Sequence, residues 1–92
     1  KFENISNRFF SAYLRFEVTD KPGILSDITS IFSNNKVSIK RLVQNPNKNN
    51  KSSSIIIITH NSKDKFLNRI LKSIAKKNYI KRKPKLIRID EI

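Results

Sequence analysis

Apolar and polar side chains alternate over residues 12–19. The apolar members recur two residues apart, a period typical of a strand with one buried face, and they are Leu14, Phe16 and Val18. Apolar residues then recur at helical spacing from Ile24 to Phe32, which predicts a helix of about three turns ending near residues 34–35. Asp20 precedes this helix as its predicted cap.

The rest of the chain predicts three strands and a second helix. The strands are expected over residues 37–44, 55–59 and 86–90, and the polar, turn-rich residues 45–54 are expected to form a loop. Ser62 is the predicted cap of the second helix. The buried stripe of that helix is predicted to comprise Phe66, Leu67, Ile70, Leu71 and Ile74.

The resulting order, βαββαβ, predicts an α+β, ferredoxin-like sandwich: one four-stranded antiparallel sheet with two helices on one face. Residues 12–92 would form this domain, and residues 1–11 an incoming linker from an upstream region. The run Ile55 to Ile58 places isoleucine on both sides of the third strand, so we expect a partner to cover part of the bare sheet face. A tolerated apolar patch is the alternative.

The phase of the second strand is open near Arg41 to Val43, where a bulge would exchange the two faces. Without a bulge, Ile39 and Val43 point inward, whereas Tyr13 and Leu42 point away from the helices.

Composition excludes several classes of site. The 92 residues include one glycine, one histidine and no cysteine, which leaves no thiol nucleophile, no glycine-rich phosphate loop and no Cys-ligated or multi-His metal site, so we predict no metal-binding residues. No apolar run approaches the roughly 20 residues that span a bilayer, so a cytoplasmic location without membrane contact is expected. His60 lacks a neighbouring carboxylate other than Asp64 and is interpreted as structural.

The net charge is +13, and all of it lies after residue 35. Such a charge favours nucleic-acid binding, but Lys, Asn and Ile are also the residues that AT-rich codons produce in excess. The third strand carries neither an aromatic residue on which a base could stack nor the glycine of the RNA-recognition signature, so the run Lys81 to Lys83 is interpreted as a solvated face and a nucleic-acid partner is not favoured.

The segment Asp20-Lys-Pro-Gly-Ile-Leu25 lies between the first strand and the first helix. Free backbone N–H groups at a helix start, beside a glycine, can hold a carboxylate, and the acidic side chain can receive an ammonium group. This chemistry suits an amino acid. A plain helix cap is the simpler alternative.

With this segment in a βαββαβ order, the chain resembles the ACT domain, a regulatory module that commonly binds amino acids. Residues 13–25, Val37-Ser-Ile39, Gln44, Ile58-Thr-His60 and Leu86-Ile-Arg-Ile89 are similar to the C-terminal ACT domain of homoserine dehydrogenases. The resemblance implies a fragment without catalytic residues or cofactor of its own, whose parent enzyme binds NAD(P) in an upstream catalytic domain of the threonine, methionine and isoleucine pathway.

The resemblance also implies an effector site. Asp20 and the backbone of Gly23, Ile24 and Leu25 would hold the amino and carboxylate groups of threonine, and Ser38 or Gln44 of a paired copy would close the pocket. The expected partners are thus the effector, a second copy in a homodimer, and the upstream domain. A small basic nucleic-acid-binding domain and an ACT interface module without ligand remain the alternatives.

Overall fold

The computed structural model describes residues 9–47 and 51–89. The elements follow as β1 (Phe9–Thr19), α1 (Ile24–Asn34), β2 (Ile39–Pro46), β3 (Ser52–Thr59), β4 (Ser62–Lys63), α2 (Asp64–Ala75) and β5 (Lys85–Ile89). The predicted βαββαβ order is confirmed, with β4 as an added strand of two residues.

All strand pairs are antiparallel. β1 lies between β3 and β5, β2 pairs with the far side of β3, and β4 pairs with the first two residues of β1. β1 begins at Phe9, three residues before the predicted strand start, so the last part of the predicted linker extends the sheet. The first eight residues of that linker lie outside the described residues.

The core lies between the sheet and both helices. The inward residues of β1 are fully buried, as the alternation predicts, and they pack with Ile55 and Ile57 of β3. The rings of Phe16 and Phe32 meet edge to face with their centroids 6.4 Å apart, which attaches α1 to the centre of the sheet. The helices contribute Ile24, Ile28, Phe32, Leu67, Ile70 and Ile74.

The bulge in β2 decides the open question of strand phase. Pairing with β3 shifts by one residue between Ile39 and Arg41, so Leu42 lies opposite buried Ile57 and packs on the core. Val43 lies opposite Ile56 on the other face. The predictions that Leu42 points away from the helices and Val43 inward are therefore wrong, because one extra residue exchanges the faces.

The opposite face of the sheet carries Tyr13, Val43, Ile56, Ile58 and Ile87. Ile87 is 57% exposed, while Ile56 and Ile58 are only partly covered. The prediction that β3 is apolar on both faces is confirmed. That a partner covers part of this outer face stays a prediction.

The start of α2 differs from the prediction. Ser62 lies in β4 and its hydroxyl donates to the backbone carbonyl of His60, at 2.9 Å, instead of capping the helix. The N-cap position belongs to Lys63, which makes no side-chain cap hydrogen bond. The short pairing of β4 with β1 keeps residues 62–63 extended and delays the helix to Asp64.

Candidate functional site

The candidate effector site is the turn that joins β1 to α1. The backbone N–H of Asp20 donates to the carbonyl of Lys51, at 3.1 Å, and that of Lys21 donates to Thr19, also at 3.1 Å. These two bonds fix the turn beside the end of the β2–β3 connection. The side chain of Asp20 is exposed and, among the residues that the structure describes, has no ion-pair or hydrogen-bond partner.

Gly23 occupies the N-cap position of α1 with φ 86° and ψ −14°, in the left-handed region. The prediction that Asp20 caps the helix is wrong, since α1 has no side-chain cap hydrogen bond. The first intrahelical bond runs from the N–H of Asp27 to the carbonyl of Gly23, at 3.0 Å. The N–H groups of Ile24, Leu25 and Ser26 therefore have no intrahelical acceptor and can receive an anionic group.

Gly23 is required for its backbone conformation. A Cβ at this position would meet nothing within 4 Å, so space does not select glycine, whereas φ does. We expect Gly23→Ala to lower the free energy of unfolding by about 1–2 kcal/mol, the cost of a left-handed residue with a Cβ.

Urea unfolding followed by circular dichroism would measure this loss. Lys36 is a matched control, because it is the non-glycine residue with positive φ, 61°, in the described chain. Lys36→Gly should leave stability equal or raise it by up to about 1 kcal/mol. An unchanged stability in Gly23→Ala would show that the turn relaxes to a different conformation.

The six predicted site residues are not all neighbours within one copy. Asp20, Gly23, Ile24 and Leu25 share the β1–α1 turn; Ile24 is buried and offers only its backbone. Gln44 is exposed in β2 opposite Ile55, in the half of the sheet that adjoins this turn. Ser38 lies near the far end of α1, where its carbonyl accepts from the N–H of His60, at 3.0 Å.

The structure pairs Asp64 with groups other than His60. Asp64 is 3% exposed and accepts from Arg88, at 2.7 and 3.0 Å, and from Asn68, at 3.1 Å. These bonds leave His60 exposed at the end of β3 without the carboxylate that a general base would need. In the described residues no cluster of three or more metal-ligating side chains occurs.

A second feature, missed by the sequence reasoning, is a cavity of about 670 Å³ at the same end of the sheet as the β1–α1 turn, where Thr19 pairs with Ser52. We call it the basic groove, and its lining is Arg15, Glu17, Asn47, Ser52, Lys81, Arg82, Lys83 and Lys85. The available signal was the alternation of Lys81, Lys83 and Lys85, because alternate residues of an extended segment share a side. The link to Arg15 depends on β1–β5 pairing, which places it opposite Lys85.

Glu17 lines this groove and belongs to a hydrogen-bonded network. Partial burial alone would raise the pKa of its carboxyl, but hydrogen bonds from Ser54, Arg15 and Asn47 outweigh burial and lower that pKa. The Ser54 hydroxyl donates to the carboxylate at 2.8 Å, and the Arg15 guanidinium at 2.9 Å. Glu17 is therefore ionised at neutral pH and already has its partners.

Comparisons with known proteins concern the chain as a whole. A family model described as the ACT domain matches residues 12–77. The homoserine dehydrogenase of Methylobacillus glycogenes is 32% identical over 81 residues, which are 87% of this chain and 20% of that enzyme. The homoserine dehydrogenase of Bacillus subtilis is 33% identical over 70 residues, 75% of this chain and 16% of that enzyme.

Two solved structures are similar to this chain in fold. A homoserine dehydrogenase from Thiobacillus denitrificans superposes with a TM-score of 0.86 at 27% identity, covering 99% of this chain and 20% of that one. The ACT domain from GTP pyrophosphokinase of Chlorobium tepidum gives 0.66 at 18% identity, covering 88% and 99%. The chain thus spans about a fifth of the curated relatives it matches. No helix in the described ranges is long and apolar enough to cross a membrane.

Proposed function

The chain belongs to the ACT domain family, and from this membership we propose that it is the amino-acid-sensing, dimerising region of a homoserine dehydrogenase, with threonine as its effector. The observation that carries the proposal is the β1–α1 turn, where three backbone donors without intrahelical acceptors adjoin the carboxylate of Asp20, which has no side-chain partner among the described residues. The proposed enzyme class rests on the relatives described above, which are homoserine dehydrogenases.

The proposed contacts follow from charge. The carboxylate of threonine accepts from the N–H groups at the start of α1, where the helix dipole favours a negative group. Its ammonium pairs with Asp20. Ser38 or Gln44 of a second copy closes the pocket, and the position of β2 at the edge of the sheet leaves its outer backbone groups open to such a copy.

Effector binding would regulate the enzyme because it is coupled to the pairing of two copies of the domain. An effector held between two copies favours the paired arrangement that it bridges, and this arrangement biases the catalytic region attached to each copy. In this proposal the parent enzyme is cytoplasmic, acts in the threonine, methionine and isoleucine pathway, and binds NAD(P) upstream of the ACT domain. The chain itself takes no part in the chemistry.

Calorimetric titration with threonine tests the proposal. We expect saturable binding to the 92-residue chain, and a loss of about tenfold or more in affinity for Asp20→Asn, which removes a charge-assisted hydrogen bond worth about 1.5–3 kcal/mol. Asp27→Asn is the matched control: its carboxylate lies in the first turn of the same helix, but it already accepts from Tyr79 at 2.6 Å. The control should bind threonine within about twofold of the unmodified chain.

Sedimentation analysis in the same samples separates the two parts of the proposal. Threonine should raise the dimer fraction in the unmodified chain and leave it unchanged in Asp20→Asn. A dimer that forms equally well without threonine, with no heat on titration, would identify a ligand-free interface module. A monomer at every concentration, with or without threonine, would refute pairing.

A further inference from the structure

The basic groove contains more positive charge than the described residues around it neutralise. Five cationic side chains line it against the single carboxylate of Glu17. Arg15 is the cation that pairs with Glu17, at 2.9 Å. Among the described residues, the other four cations have no acidic partner, and they are Lys81, Arg82, Lys83 and Lys85.

The fold holds these cations together. The N–H of Lys81 donates to the carbonyl of Glu17 at 2.8 Å, and Ile80 pairs with Val18, so the segment that enters β5 runs directly beside β1. Arg15 then lies opposite Lys85 in the next part of the same pairing. Backbone pairing at both ends offsets the repulsion between like charges, and the side chains remain exposed on one side.

We propose that the basic groove binds a small molecule with several adjacent phosphate groups. A ligand with a single negative charge would leave most of the four cations unmatched, whereas a polyphosphate group satisfies several of them, and Arg82 can bind a phosphate through two parallel hydrogen bonds. Asn47 and Ser52, which are hydrogen-bonded to each other at 2.6 Å, add neutral polar groups to the wall.

The volume and the lining residues of the groove favour a small molecule over a nucleic-acid strand. Its volume of about 670 Å³ lies within the range of small-ligand pockets, about 300–1,000 Å³. Its lining residues include no aromatic ring on which a base could stack. None of its lining residues belongs to the β1–α1 turn of the effector proposal, so the two proposals can be tested by separate substitutions.

Calorimetric titration of the 92-residue chain with sodium tripolyphosphate and with ATP tests the proposal, with inorganic phosphate and a single-stranded oligonucleotide in parallel. We expect one saturable site for both triphosphate compounds, weaker at high salt, and much weaker binding of inorganic phosphate. Replacing Lys83 and Lys85 with alanine together should reduce affinity by about tenfold or more.

Two further variants test whether tripolyphosphate binding depends on the groove and not on net charge. Lys72 in α2 and Lys76, the C-cap residue of that helix, are both exposed, so their double replacement with alanine removes the same charge and should change affinity by less than about twofold. Glu17→Gln should strengthen tripolyphosphate binding by about two- to fivefold, a gain that a damaged fold cannot produce.

Three outcomes would overturn the proposal. Equal losses in the two double variants would mean that net charge alone attracts the anion. Tighter binding of the oligonucleotide than of tripolyphosphate, growing with its length, would identify a nucleic-acid strand as the ligand. Absence of heat with either triphosphate compound would show that the groove has no such ligand.

Discussion

Replacing Phe16 with alanine is expected to lower the free energy of unfolding by about 3–5 kcal/mol. The side chain is fully buried in β1, at the centre of the sheet, and its ring meets that of Phe32 in α1. Truncation removes apolar contacts on both elements and leaves a cavity that the surrounding strands cannot fill. A domain of this size has only about 5–15 kcal/mol of net stability, so much of it would be lost.

Urea denaturation followed by circular dichroism measures the change. Ile87→Ala is the matched control, because this isoleucine lies in the same sheet but is 57% exposed on the outer face. It should alter stability by no more than about 0.5 kcal/mol in the isolated chain. Comparable losses in the two variants would mean that the outer face is covered in solution, for example by a second copy.

The packing of α1 on the sheet also matters for the candidate effector site. Phe32 attaches the C-terminal part of α1 to β1, and Ile28 and Ile24 bury the rest of the same helix face. The N-terminal donors of α1 therefore have a fixed direction relative to the end of β1, where Asp20 lies. Pre-organisation of this kind lowers the entropic cost of holding a small ligand.

Local patterns were sufficient to predict most of the fold. The period of two in β1 and the helical spacing of Ile24, Ile28 and Phe32 each have one solution that buries the apolar residues, and the structure has that solution. The same is true of the stripe on α2, whose central members Leu67, Ile70 and Ile74 are fully buried. Burial of an amphipathic face is a property that short sequences encode.

Features that depend on a neighbouring strand were not predictable in this way. The sequence leaves the phase of β2 open near Arg41 but does not decide whether a bulge forms, because the polar pair Lys40 and Arg41 gives no periodic signal; the bulge then exchanges the faces of Leu42 and Val43. Ser62 matches a helix cap locally, but pairing with Phe10 takes it into β4. In both cases a long-range pairing outweighs the local preference.

The two candidate sites differ in the same way: one depends on residues close in sequence, and the other depends on strand pairing. The β1–α1 turn was found from the sequence because Asp20, Gly23, Ile24 and Leu25 lie within six consecutive residues. The basic groove was missed because Arg15 and Lys85 are seventy positions apart and meet only through the β1–β5 pairing. A run such as Lys81 to Lys83 is ambiguous by itself, since its function depends on which charges lie opposite.

The ion pair between Arg88 and Asp64 is expected to be the strongest polar link between β5 and α2. Arg88→Ala should lower the free energy of unfolding by about 2–3 kcal/mol, because it leaves a carboxylate that is only 3% exposed without its cation. The value lies below that of a fully buried pair, since the Arg88 side chain is itself 46% exposed. Asn68 retains its hydrogen bond to Asp64 in this variant.

A double-mutant cycle with Asp64→Ala isolates the pair. The double variant should be more stable than the sum of the single losses predicts, with a coupling of about 1 kcal/mol or more. Arg69→Ala is the matched control: Arg69 lies over the ring of Phe66, as Arg88 lies over that of Phe10, but has no carboxylate partner among the described residues. Its loss should stay near 0.5–1 kcal/mol, roughly the value of an exposed cation–π contact.

Additive losses in the cycle would mean that the cation–π contact with Phe10, and not the carboxylate, accounts for the cost of removing Arg88. The distinction matters for the basic groove, because β5 begins at Lys85 and only five residues hold that strand against β1. If Asp64 fixes the far end of β5 through Arg88, then loss of the pair should also weaken tripolyphosphate binding, although neither residue lines the groove.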